Sequence, residues 1–187
     1  MTKLPLIPYR LLEQNNKEKN TCLDLSDKLR ILSKTTINFL VKGKTDIVRK
    51  NLPVMDKLFK KMRSILRKNP HLYGVSGINI GLEEYLEALF VHSYIKNRSM
   101  PNINKLETAP EVYLGGLSDM TGELVRLARR ENKQAAIIHD YIAKIYDLII
   151  PISITKNSNL RMKLETIGNN LKKIEDIIYD LKLRDKI

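Results

Sequence analysis

Two acidic stretches carry the residues best suited to chemistry. They are Glu83-Glu84-Tyr85-Leu86-Glu87-Ala88 and Leu117-Ser118-Asp119-Met120-Thr121-Gly122-Glu123-Leu124. Glu84 and Glu87 stand three apart, Asp119 and Glu123 four apart, so on a helix each pair shares a face. Four carboxylates so arranged are either solvated surface charges or oxygen ligands for a hard cation, chiefly Mg²⁺ or Mn²⁺. Such a cation would polarise a phosphodiester and lower the pKa of an attacking water. Spacing alone leaves both readings open. Acidic pairs are common on helix surfaces, and Arg126 and Arg130 continue the Asp119–Glu123 face as ready salt-bridge partners.

Other chemistries are excluded by what is missing. There is no Gly-x-x-x-x-Gly-Lys-Ser/Thr loop and no Gly-x-Gly-x-x-Gly, so those phosphate cradles are unsupported. His71, His92 and His139 do not lie three residues after a Glu, which removes the Glu-x-x-His pairs of di-iron bundles. No His-Glu-x-x-His zinc motif occurs. The single Cys22 rules out an intramolecular disulfide and a cysteine-based zinc site, and fits a reduced, cytoplasmic setting.

The elements that must hold these acids are helical. The chain has 187 residues, enough for one domain with a real core, and its low Gly and Pro content favours helix over strand. No apolar run approaches a membrane span, and the proline-broken start is too short for a signal peptide. Residues 1–20 read as an N-terminal arm, with prolines and then a polar run lacking any apolar period. A first helix begins near Thr21 or Asp24 and carries Leu25, Leu29, Leu32, Thr36, Phe39 and Leu40 to a stop at Gly43.

A second helix spans 44–68, with Pro53 as a kink or first-turn residue, and ends at Asn69-Pro70. The third runs from Ser76 to Asn97 with Glu84 and Glu87. A loop over 98–110, with at most one turn, leads to the fourth, Pro110 to Glu131. There Gly115 and Gly116 imply a close approach by another segment. A fifth spans Lys133 to Ile149 and stops at Pro151. In the last, Leu160, Leu164, Ile167, Leu171, Ile174, Ile178 and Leu181 form a heptad seam. It packs inside the bundle or against another subunit; periodicity does not choose. The sum is a single all-α domain of about six helices, seven at most.

Charge is distributed unevenly. Of the net +12, residues 1–80 supply 17 Lys/Arg against 6 Asp/Glu, while the remainder is nearly balanced. A concentrated cationic surface favours nucleic acid as partner, with an anionic membrane surface as the rival. The second helix carries most of it, in Lys57, Lys60, Lys61, Arg63, Arg67 and Lys68.

The acidic stretches resemble the translin family, and within it the translin-associated factor X branch. Gly81-Leu82-Glu83-Glu84-Tyr85-Leu86-Glu87-Ala88 is similar to that branch's Gly-Leu-Gln-Glu-Tyr-x-Glu-Ala segment. Tyr113-Leu114-Gly115-Gly116-Leu117-Ser118-Asp119-Met120-Thr121-Gly122-Glu123-Leu124-Val125-Arg126 resembles its Tyr-Leu-x-Gly-x-x-Asp-Leu-Thr-Gly-Glu-Leu-x-Arg signature. Ile95-Lys96-Asn97-Arg98-Ser99 and the closing helix from Leu171 to Leu181 resemble the same branch. Two departures stand out: the expected Gln-His pair reads His92-Ser93, and the long insertion of the animal proteins between the motifs is absent.

The resemblance implies a translin-like helical subunit of a closed hollow oligomer, here a homo-oligomer with an octamer as the expected size. It implies a Mg²⁺-dependent endoribonuclease acting on single-stranded RNA, with single-stranded DNA as the other candidate ligand. Glu84, Glu87, Asp119 and Glu123 take the metal-ligating and catalytic positions, with Glu123 or Glu84 as general base. Lys60, Lys61, Arg63, Arg67, Lys68, Arg126, Arg129 and Arg130 are the expected phosphate contacts. Tyr85 and Tyr113 offer base stacking or, more simply, core packing. The alternative is a non-catalytic shell that binds single-stranded nucleic acid.

Overall fold

The computed structural model describes residues 9–101, 108–151 and 158–184. Among these residues are six α-helices and no strand: α1 (Tyr9–Val41), α2 (Thr45–Lys68), α3 (Ser76–Asn97), α4 (Pro110–Arg130), α5 (Ala135–Ile149) and α6 (Ser158–Leu183). Short 3₁₀ turns at Pro70–Gly74 and Asn132–Gln134 lead into α3 and α5.

The helix ends follow local chemistry. Gly43 stops α1 with φ of 70°. Its N–H donates to Leu40 O at 3.0 Å and that of Lys44 to Phe39 O at 2.9 Å, a Schellman pair that satisfies two of the last carbonyls. Asn69 ends α2 ahead of Pro70, and its side chain donates to Ile65 O at 3.1 Å and to Glu18 Oε2 at 2.6 Å. Pro53 lies inside α2 and starts no new helix.

One expectation is corrected. Residues 9–20 are the opening turns of α1, not an arm; residues 1–8 lie outside the described set. Their lack of apolar period has a simple cause. Tyr9, Leu11 and Leu12 are exposed, and the bond from Asn69 to Glu18 ties the segment to α2 through a polar contact.

The helices pack in the order α2, α1, α3, α4, α6, α5, with α3 enclosed between α1 and α4. Small residues set the two central crossings. Ser26 Oγ of α1 donates to Gly77 O at 2.6 Å and accepts the Gly81 N–H at 3.1 Å. A Cβ at Gly81 would lie 2.5 Å from Ser26 O, so only glycine permits this approach. On the other side, Gly115 and Gly116 of α4 lie against α3, the close approach that their presence in a helix implied.

The α6 seam meets helices of its own chain. Ile167, Ile174 and Leu181 are buried, and Leu164, Leu171 and Ile178 pack on the core, against α4 and α5. Tyr85 and Tyr113 serve the core, too. Tyr85 stacks on Phe59 with ring centres 4.4 Å apart, and Tyr113 meets Phe90 edge-on at 5.1 Å. Full burial of rings and branched chains of this size contributes about 1.5–3 kcal/mol each.

Candidate functional site

Because two glycines remove side chains from the α3–α4 contact, the acidic faces of these helices meet. Glu84 and Glu87 of α3 and Asp119 and Glu123 of α4 line one cavity of about 570 Å³. Lys34 and Asn38 of α1, Arg126 of α4, and Thr166 and Asn170 of α6 complete its walls. Asn170 is buried and donates to Thr121 Oγ1 at 2.8 Å, fixing α6 to α4 beside the acids.

Three of the four carboxylates meet a cation. Lys34 Nζ stands 3.0 Å from Glu84 Oε1. Arg126 Nη1 donates to both oxygens of Glu123, at 2.7 and 2.8 Å. Lys163 of α6 donates to Asp119 Oδ2 at 3.0 Å, to Oδ1 at 3.3 Å and to Glu83 Oε2 at 3.0 Å. Burial opposes the charge of Lys163, but its acidic partners outweigh that and raise its pKa. Glu83 is shifted upward by burial, against the pull of Lys163.

Glu87 differs from the rest. It is 8% exposed and has no ion pair or hydrogen bond among the described residues. Burial, then the charges of Glu84, Asp119 and Glu123, push its carboxyl up to about 8, with Lys34 acting in the other direction. The donor chemistry suits a hard divalent cation: four carboxylates, with amide and hydroxyl oxygens of Asn38, Thr166 and Asn170, line one cavity, and one of the acids is buried. In this structure the side chains are not drawn together into a ligating cluster; among the described residues no group of three or more acids, histidines or cysteines is so gathered.

The basic candidates do not share one place. Arg126 lines the acidic cavity. Lys60, Lys61, Arg67 and Lys68 are exposed on α2, which packs chiefly on α1. Lys60 pairs with Asp56 at 2.6 Å, and Arg63 lies 5.8 Å over the Phe59 ring. Arg129 lines a separate cavity of about 490 Å³ with Lys173, Asp176 and Asp180. Arg130 donates to the carbonyls of Val41 and Lys42, capping the end of α1; its side chain does not join Glu123. His92 lines another cavity, with Leu40, Val48 and Lys96, apart from the acids.

Lys34, Glu83, Lys163 and Asn170 escaped sequence reasoning as parts of this site. Lys34 lies 50 positions from Glu84, and Lys163 lies 44 from Asp119. No local spacing marks such pairs. Among the described residues no helix is long and apolar enough to cross a membrane.

A helical bundle with an acidic cavity between its third and fourth helices defines the class. Residues 23–185 match the Translin family, and the chain belongs to it. It is 27% identical to Translin-associated protein X of Pongo abelii over 168 residues, covering 70% of this chain and 58% of that protein. The Mus musculus protein of the same name is 26% identical with the same coverage. The chain therefore spans less than two thirds of the length of these curated relatives. The crystal structure of apo-NeC3PO superimposes with a TM-score of 0.83 at 27% identity, over 95% of this chain and 98% of that one. The AfC3PO–duplex RNA complex superimposes with a TM-score of 0.83 at 22% identity, over 94% and 95%.

Proposed function

We propose that this chain is a subunit of a closed homo-oligomeric shell, octameric in size, that cleaves single-stranded RNA as a Mg²⁺-dependent endoribonuclease. Mn²⁺ is the substitute metal and the cytoplasm the setting. The observation that carries this reading is the convergence of Glu84, Glu87, Asp119 and Glu123 on one cavity. Family membership and likeness to C3PO chains, one of them in complex with duplex RNA, support it.

The four acids would hold the metal, which when bound supplies Lewis-acid polarisation of the phosphodiester and a more acidic attacking water. Glu123 or Glu84 would serve as the general base toward the attacking water. The side chains of Lys34 and Arg126 are more than half exposed, so they can turn from their carboxylates to the RNA phosphates. Exposed α2 lysines add affinity without sequence preference.

A second reading has its own support. Three of the four acids are already neutralised by Lys34, Arg126 and Lys163, as in a shell that binds single-stranded RNA or DNA without cutting it. Incubation of labelled single-stranded RNA with Mg²⁺, and then with a chelator, separates the two. Cleavage that the chelator stops, that Glu84→Ala and Glu123→Ala abolish, and that leaves binding intact supports the enzyme. Binding without cleavage by the wild type in any divalent metal leaves the non-catalytic shell.

A further inference from the structure

Among the three cations paired with the site's carboxylates, Lys163 is held differently from the others. The side chains of Lys34 and Arg126 are 60% and 56% exposed; that of Lys163 is 29% exposed. Its backbone is pinned as well, because Ser118 Oγ donates to Lys163 O at 3.0 Å, one residue before Asp119 on α4. The ammonium cannot leave for solvent as readily as its neighbours. It has two anions within reach: Asp119, which lines the cavity, at 3.0 and 3.3 Å, and Glu83, which does not, at 3.0 Å. Gly115 gives Glu83 its room, since a Cβ there would lie 2.4 Å from Glu83 Cδ.

An ammonium hydrogen-bonded to both oxygens of Asp119 takes up part of that carboxylate's lone-pair capacity, and its charge opposes a divalent cation there. Resting on the reading of the four carboxylates as a cation site, we propose that Lys163 is a built-in counter-cation. It holds Asp119 while the cavity is metal-free and withdraws onto Glu83 when a divalent cation takes Asp119. The Lys163–Glu83 pair therefore sets the affinity of the cavity for divalent metal. Lys163 is a positioning residue here, acting through Asp119, and Glu83 is its alternative anion.

The two partners then have opposite effects. Without the Lys163 charge, Asp119 is uncompensated and the cavity attracts a dication more strongly. Without the Glu83 charge, Lys163 has Asp119 as its sole anion and competes harder. A purely structural ion pair behaves otherwise, because removing either partner loosens Asp119 and weakens binding in both cases.

Mn²⁺ alone, titrated into the full chain by calorimetry and by paramagnetic resonance of the free ion, reads this directly. Lys163→Met is expected to bind Mn²⁺ about tenfold tighter, and Glu83→Gln about threefold more weakly, as charge changes a few ångströms from a ligand require. The double variant should behave like Lys163→Met. Lys163→Gln repeats the charge loss with a different side chain, and metal-free thermal melts show which variants are folded. Wild type that binds Mn²⁺ with both single variants unchanged, or both weakened, overturns the counter-cation role and leaves the metal site standing. Wild type that takes up no Mn²⁺ overturns both.

Discussion

Gly116 of α4 lies against the backbone of Glu87 on α3: a Cβ placed on the glycine would stand 3.0 Å from the Glu87 nitrogen, 2.9 Å from Glu83 O and 2.7 Å from Leu86 Cβ. The absence of one methyl group thus sets how near Asp119 and Glu123 come to Glu84 and Glu87. Gly116→Ala must push the helices apart, because none of the three obstructing atoms is at the end of a flexible chain. It is expected to lower stability by about 1–3 kcal/mol and to weaken Mn²⁺ uptake. At Gly115 the three nearest atoms all belong to the Glu83 side chain, which can turn, so Gly115→Ala should cost less stability. Denaturant melts of the two variants check the order; equal effects would remove the contact from the account.

Glu87 makes the metal-free fold sensitive to pH. Burial, with the charges of Glu84, Asp119 and Glu123, pushes its folded carboxyl up to about 8 from the ordinary 4.5, so the folded state retains a proton that the unfolded chain releases earlier. That contribution to stability is fully present below about pH 4.5 and is lost as pH rises through about 8. Metal-free wild type should therefore melt at progressively lower temperature across that window. Glu87→Gln, which keeps the neutral shape, should show a flatter profile. Mg²⁺ should restore the wild type at the alkaline end by binding the folded state, but not the glutamine variant to the same degree. Parallel pH profiles for the two proteins would remove Glu87 as the cause.

Arg130 and Arg126 sit one helical turn apart, yet their partners assign them different work. Arg130 satisfies carbonyls at the end of α1, so Arg130→Met is expected to cost about 1 kcal/mol of stability, the scale of a lost charge-assisted cap, with little change in RNA affinity. Arg126→Met should do the reverse: near-normal melting, because an exposed i,i+3 pair contributes little, and weaker RNA binding. Melting curves and filter binding on the same samples distinguish them. Interchanged outcomes would mean that Arg130 contacts RNA and Arg126 holds the fold.

The two acidic pairs show how far sequence reaches. Periodicity placed Glu84 with Glu87 and Asp119 with Glu123, since each pair lies within a single helix, α3 for the first and α4, opened by Pro110, for the second. Gly115 and Gly116 signalled that something comes close, without saying what. Nothing local revealed that α3 is the neighbour, or that Lys34 and Lys163 reach the acids from other helices, because ion pairs across 50 and 44 positions have no period. Residues 9–20 were misread for a related reason: an exposed helix held by polar contacts lacks the apolar stripe on which helix recognition depends. The basic residues of α2 were legible as charge but not as location.

That location makes the last expectation specific. Lys61 and Lys68 are exposed on α2, which packs on α1, away from the α4 side of the acidic cavity. On the proposed function, a strand bound at the cavity would reach them by running over α1, or from another subunit if the chain assembles. Each lysine would then contribute a phosphate contact and a released counterion. Replacing both by Ser should then lower RNA affinity and reduce the slope of log affinity against log salt by about 1.4, at roughly 0.7 per contact on single strands. Cleavage per bound RNA should stay unchanged, since neither residue touches the acids. An unchanged slope would mean that these charges face solvent in the assembled protein, and that RNA is held by Lys34 and Arg126 at the cavity mouth. The same titration on Lys34→Ser would then show the slope change instead.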